Sequence, residues 1–145
     1  MARDSRTRQG ARDLLVRALY QQQLAGHDRA ELTAQFEADD DFATIDQVYF
    51  HDLLRYVLEH AESLDTVIAS LAVRSLEQLD AVGRAILRLA LAELEHRLDV
   101  PTKVVINEAV ELTKRYGAAD SYRFVNAVLD KAAKRIDVRN DRAAG

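Results

Sequence analysis

No cysteine occurs in the 145 residues. That absence excludes a disulfide framework, thiolate zinc and iron–sulfur sites, and a cysteine nucleophile. It also fits a reducing compartment. Proline occurs once and glycine five times. Sandwiches and barrels need many turns, and turns consume these two residues, so an all-β fold is excluded as well. No apolar run approaches the roughly 20 residues that span a bilayer. The opening MARDSRTRQG carries arginines without the apolar stretch of a secretory signal. The expectation is a soluble, cytoplasmic protein with no membrane partner.

What remains abundant is Ala, Leu, Glu, Arg and Gln, all strong helix formers. An all-α fold in a single domain is expected at this length. Hydrophobic residues at 48% and charged residues at 30% are ordinary for a globular chain. A chain of this size buries well over half of its unfolded surface, so it needs no metal to fold.

The net charge of −4 conceals a segregation. Residues 1–27 hold five Arg against two Asp, a net +3. Residues 28–65 hold two Arg against eleven acids, a net −9. Residues 66–100 are near neutral, and residues 101–145 hold nine bases against six acids, a net +3. If the two ends meet in the fold, they form one basic surface beside an acidic one.

Residues 1–9, with Arg3, Arg6 and Arg8, read as a flexible basic arm. Ala11, Leu14, Leu15, Ala18, Leu19 and Leu24 form a helical stripe, stopped at Gly26. A short helix follows over Glu31–Phe36, and Asp39–Asp41 read as a loop. Asp46 caps the next helix, whose stripe runs from Phe50 to Leu58. Leu64, Val67, Ile68 and Leu71 mark a further helix after a kink near Ser63. Ser75 and Gln78 have the spacing of a capping box. Val82 to Leu98 is apolar on most sides, which marks a central helix. Pro101 opens the next helix and Gly117 ends it. Asp120 is placed to cap the last helix, and the tail from Asp137 reads as frayed. The sum is about seven helices with short connections.

Chemistry is sparse. The glycines are isolated, so no phosphate-cradling loop exists. His27, His51, His60 and His96 include no pair at i, i+4. Glu93 and His96 form one E-x-x-H unit, where di-iron bundles need two. No catalytic residue, metal or other cofactor is indicated. Asn107 and Asn126 sit inside apolar runs, either tying helices together or facing a ligand. Lys114, Arg115, Tyr116, Gly117, Asp120, Tyr122 and Arg123 gather at a helix–turn–helix corner. Cations for phosphate beside rings for stacking are what single-stranded RNA needs.

At these residues the chain resembles the NusB family of bacterial transcription antitermination factors. The matching strings are ARDLLVRALYQQQL (11–24), VYFHDLL (48–54), AILRLALAELEHRLDVPTKVVINEAVELTKRYG (85–117) and DSYRFVNAVLDKAAK (120–134). The resemblance implies a fold of two three-helix bundles and no enzymatic activity. It implies binding to boxA RNA of ribosomal RNA leader transcripts, together with the small-subunit ribosomal protein NusE, within an antitermination complex on RNA polymerase. By motif position it implies Arg8, Arg12, Lys114, Tyr116, Asp120 and Arg123 as RNA-facing residues. Tyr20, Leu24, Glu77 and Arg88 are implied as the NusE-facing set, and some family members form homodimers. Two departures stand out. Gln9 and Gly10 interrupt the arginine run, which implies fewer phosphate contacts. Gly83 lies where relatives can carry an acid near the NusE contact. The alternative reading is a protein-interaction adaptor whose basic ends are solvated faces.

Overall fold

The computed structural model describes residues 2–72 and 79–144, with side chains over 5–72 and 79–137. Among the described residues there are seven α-helices and no strand. They are α1 (Ala2–Ala25), α2 (Arg29–Glu37), α3 (Gln47–Glu59), α4 (Ala61–Leu71), α5 (Ala81–His96), α6 (Thr102–Tyr116) and α7 (Ser121–Ala144). A 3₁₀ turn over Asp40–Thr44 joins α2 to α3.

Three aspartates start helices by accepting from backbone N–H groups left unpaired in the first turn. Asp28 closes a capping box with Glu31 on α2. Asp46 accepts from Tyr49 N at 3.0 Å on α3. Asp80 accepts from Gly83 N at 2.6 Å on α5. The capping box expected at Ser75 and Gln78 lies outside the described residues. Gly26 ends α1 with φ +70°, a conformation costly for any residue bearing a Cβ.

Four local expectations need correction. The segment read as a flexible arm is helical from Ala2. Its second turn is anchored, since Thr7 O accepts from Asp46 N at 3.0 Å. Gly10 belongs to this anchoring: a Cβ there would stand 2.8 Å from Ile45 Cγ2, so only glycine lets α1 lie this close to the 3₁₀ turn. The residues read as a frayed tail continue α7 to Ala144, with no proline or glycine to stop the helix earlier. The acidic run expected as a loop winds into the 3₁₀ turn from Asp40, which the Asp39 carboxylate starts by accepting from Asp41 N at 2.9 Å. The break expected near Ser63 falls at His60, between α3 and α4.

Helix α5 is the axis of the molecule, packing against α1, α3, α4, α6 and α7. Its apolar circumference explains this, with Ala85, Ile86, Leu87, Leu89, Ala90, Leu91 and Ala92 all buried. Helices α1, α2 and α3 touch one another, as do α5, α6 and α7. This grouping is compatible with two three-helix bundles, α4 bridging them. The arrangement sets the C-terminal end of α6 against the first half of α1.

Candidate nucleic-acid and partner interface

Arg12 is not on the surface. It is 3% exposed and lies on the buried stripe of α1 with Leu15, Val16 and Leu19. Its Nε donates to Glu93 Oε1 at 2.9 Å and its Nη2 to Oε2 at 3.0 Å. Tyr49 Oη donates to the same Oε2 at 2.6 Å. This two-pronged pair, with Glu93 2% exposed, links α1, α3 and α5. Burial works against the charge on Arg12, but the hydrogen bonds and charge of Glu93 outweigh it and hold the guanidinium protonated. Burial first, and then the charge of Glu93, push the Tyr49 hydroxyl well above its ordinary range.

Arg8 is also engaged. It is half-buried, reaching Asp46 at 3.5 Å and Asp99 at 3.4 Å. Its guanidinium lies 4.6 Å from the Tyr49 ring centroid, and Arg97 lies 4.5 Å from the same centroid. Arg97 also grips Asp99 through two N–H groups, holding that carboxyl at about 2. Arg8 and Arg12 therefore tie elements together instead of forming a free cationic arm.

The four remaining RNA-facing candidates stand exposed together where α6 meets α7. Lys114, Tyr116, Asp120 and Arg123 are all solvent-exposed. Lys114 Nζ lies 5.0 Å and Arg123 Cζ 5.8 Å from the Tyr122 ring centroid, so cations flank this ring. Arg115 and Tyr116 reach back to α1. Arg115 Nη1 and Tyr116 Oη donate to the same Asp13 oxygen, at 2.9 and 2.6 Å. The basic ends of the chain thus meet, through α6 and α1. Arg6, Gln9, Asp13, Asp41, Arg115 and Tyr116 line an open cleft of mixed polarity, about 520 Å³, beside the corner. Arg6, Arg115 and Tyr122 join the surface by contact across helices.

Asp120 is not a side-chain cap. Among the described residues its carboxylate accepts no hydrogen bond, and its backbone carries φ +67°. Its carbonyl accepts from Arg123 N at 3.2 Å. Aspartate, asparagine and glycine tolerate this left-handed conformation better than other residues. Replacing Asp120 by Ala is expected to cost about 1 kcal/mol in a urea melt, whereas Asn and Gly are tolerated. Asp120→Asn is further expected to raise RNA affinity by removing a like charge from the phosphate path.

The NusE-facing candidates divide. Tyr20 (39% exposed) and Leu24 (66% exposed) lie on an apolar groove of about 450 Å³ between α1, α2 and the start of α5. Val16, Phe36 and Val82 floor it, while Arg17, paired to Asp39 at 3.2 Å, and Tyr116 border it. Arg88 is elsewhere. Its guanidinium is clamped on Asp65 of α4 through 2.7 and 2.6 Å hydrogen bonds, which makes it a helix tie. Glu77 lies outside the described residues. Gly83 is buried in the first turn of α5, under the Asp80 cap.

Asn107 and Asn126 are both exposed, so neither ties helices through a buried amide. Glu93 and His96 take different partners. Glu93 is spent on Arg12 and Tyr49, and His96 Nε2 lies 3.0 Å from both oxygens of Asp52. Among the described residues no metal-binding group of three or more acids or histidines is gathered. None of the described helices is long and apolar enough to cross a membrane.

The all-helical molecule carries a cationic, aromatic corner next to an apolar groove, and among the described residues no cluster of metal-ligating side chains stands beside them. The NusB family model matches residues 9–134. The transcription antitermination protein NusB of Yersinia enterocolitica is 49% identical over 132 residues, covering 91% of this chain and 96% of that one. Its counterpart in Alcanivorax borkumensis is 49% identical over 129 residues, covering 89% and 86%. The crystal structure of T. maritima NusB superposes with a TM-score of 0.77 at 33% identity, over 87% of this chain and 89% of that chain. A solved complex of the antitermination factors NusB and NusE with double-stranded RNA gives a TM-score of 0.74 at 30% identity, over 90% and 98%. The chain belongs to the NusB family, whose members are antitermination factors and not enzymes.

Proposed function

We propose that this protein is a non-catalytic RNA-binding antitermination factor, which holds boxA RNA of ribosomal RNA leaders at the α6–α7 corner and NusE in the apolar groove. The observation that carries this reading is the adjacency of the two surfaces. Lys114, Arg115, Arg123 and Arg6 offer charge to phosphates, and Tyr116 and Tyr122 offer rings to bases. The acidic segment of residues 28–65 repels RNA from other approaches and suits a basic ribosomal protein. The NusB–NusE–RNA complex supports both partners. Bound together, they would join an RNA polymerase complex in the cytoplasm. A second copy of this chain, seated on Tyr20 and Leu24, would form a homodimer in competition with NusE.

The test is a fluorescence titration of a boxA oligonucleotide against a shuffled control, with and without purified NusE. The expected outcome is a preference for boxA that NusE strengthens. Equal binding of boxA and the shuffled control, with NusE bound, would leave only a protein-interaction adaptor.

A further inference from the structure

Tyr116 belongs to both surfaces. Its ring borders the apolar groove with Val16, Tyr20 and Leu24, and it also lines the mixed cleft with Arg6 and Gln9. Both cavities open on one stripe of α1. Gln9 and Asp13 face the cleft, and Arg17, Tyr20 and Leu24 face the groove, in the three- and four-residue steps of a single helix face. Tyr116 stands against that stripe at the boundary.

The ring, 40% exposed, is tethered by its far end. Its hydroxyl donates to Asp13 Oδ1 at 2.6 Å, and Arg115 Nη1 donates to the same oxygen at 2.9 Å. Asp13 is itself three-quarters buried on α1, with its side chain 25% exposed. One carboxylate oxygen therefore fixes both a candidate stacking ring and a candidate phosphate-binding cation at the end of α6. A protein packed into the groove presses on a ring whose other end is pinned beside that cation. Ordering these side chains for one ligand lowers the ordering cost left for the other, the condition for positive coupling.

Building on the function proposed above, we infer that Asp13 is a positioning residue whose hydrogen bond to Tyr116 couples occupancy of the apolar groove to RNA binding at the corner. The coupling is reciprocal, so RNA tightens the partner by the same factor.

The readout is the ratio of RNA dissociation constants for a labelled boxA oligonucleotide without and with saturating NusE. A change that weakens RNA equally in both conditions cancels in this ratio. The unmodified protein is expected to give about tenfold, within the usual range of coupling. Tyr116→Phe and Asp13→Ala are each expected to bring the ratio below about twofold, and the double variant no lower than either single one. Asp13→Asn keeps an oxygen that accepts the hydroxyl proton and is expected to retain most of the coupling. Tyr116→Phe removes a single oxygen, so the test survives any folding defect in Asp13→Ala. Full coupling in Tyr116→Phe overturns the inference. Loss in Asp13→Asn as complete as in Asp13→Ala also overturns it, in favour of charge alone. A native protein that binds both ligands with a ratio of one sinks the clasp and spares the function. A native protein that binds neither sinks the function itself.

Discussion

Replacing Arg12 by Ala is expected to destabilise the protein by about 3–5 kcal/mol while leaving the corner's RNA affinity unchanged in the fraction that stays folded. The reason is asymmetry. Glu93 is 2% exposed and its carboxylate is satisfied by Arg12 and Tyr49. Removing the guanidinium strands a buried negative charge and opens a void where α1, α3 and α5 converge. Glu93→Gln should hurt less, because the amide oxygen still accepts one hydrogen bond, though Arg12 is then left without its counter-charge. Urea titration followed by circular dichroism measures the first effect. RNA binding well below the melting point measures the second. A stable Arg12→Ala variant that loses RNA would restore Arg12 to the interface and contradict the buried geometry.

Arg12 also shows what the sequence could and could not disclose. Composition and apolar spacing disclosed an all-helical chain, its central helix and the Asp46 cap, because these are local or near-local properties, whereas the caps at Asp28 and Asp80 went unread and Asp120 was misread as one. The fate of a charged residue depends on what lies opposite, which is a long-range fact. Arg8 and Arg12 read as free cations in a basic tract, but their partners Asp99 and Glu93 are more than 80 residues away. A signal was present all the same. Arg12 falls three, four and seven residues before Leu15, Val16 and Leu19, on the stripe that must face the core. Glu93 lies between Ala92 and Leu94 in the most apolar helix. A cation and an acid each placed on a buried stripe are strong candidates for one another.

The two asparagines err in the opposite sense, for the same geometric reason. The buried positions of α6 are Val105, Ala109, Leu112 and Thr113. At about 100° per residue, Asn107 points some 200° from Val105 and emerges on the far side. Asn126 follows the buried Val125 by one step and is likewise turned out. Apolar neighbours in sequence do not bury a residue; register does. The corner was legible because its residues are contiguous or nearly so across one turn. The groove was legible only through Tyr20 and Leu24, since its opposite wall comes from α2 and the start of α5. Arg88 was misplaced because nothing local shows that Asp65 stands across from it.

With Arg12 buried and Arg8 engaged by Asp46 and Asp99, the proposed RNA contact rests on the cations of the corner, and this sets the second large effect. Substituting Lys114 and Arg123 together by Ala is expected to lower affinity for a boxA oligonucleotide about tenfold at low salt. The slope of log affinity against log salt is expected to flatten by about 1.4, since each phosphate contact on a single strand contributes about 0.7. Both side chains are exposed, and their ion pairing is slight. Lys114 lies 3.7 Å from Glu111 across an open helix surface, and Arg123 leans on the Tyr122 hydroxyl at 3.4 Å. Their removal costs little folding energy, because exposed pairs contribute at most about 1 kcal/mol. It also leaves the Tyr122 ring without the cations that flank it, so stacking weakens along with charge. The control is Arg29→Ala, an exposed cation on α2 within the acidic segment and outside both surfaces. Removing one cation there should leave the slope as it is. An unaltered slope in the Lys114/Arg123 variant would place the phosphates elsewhere, with Arg6 and Arg115 in the neighbouring cleft the next cations to remove.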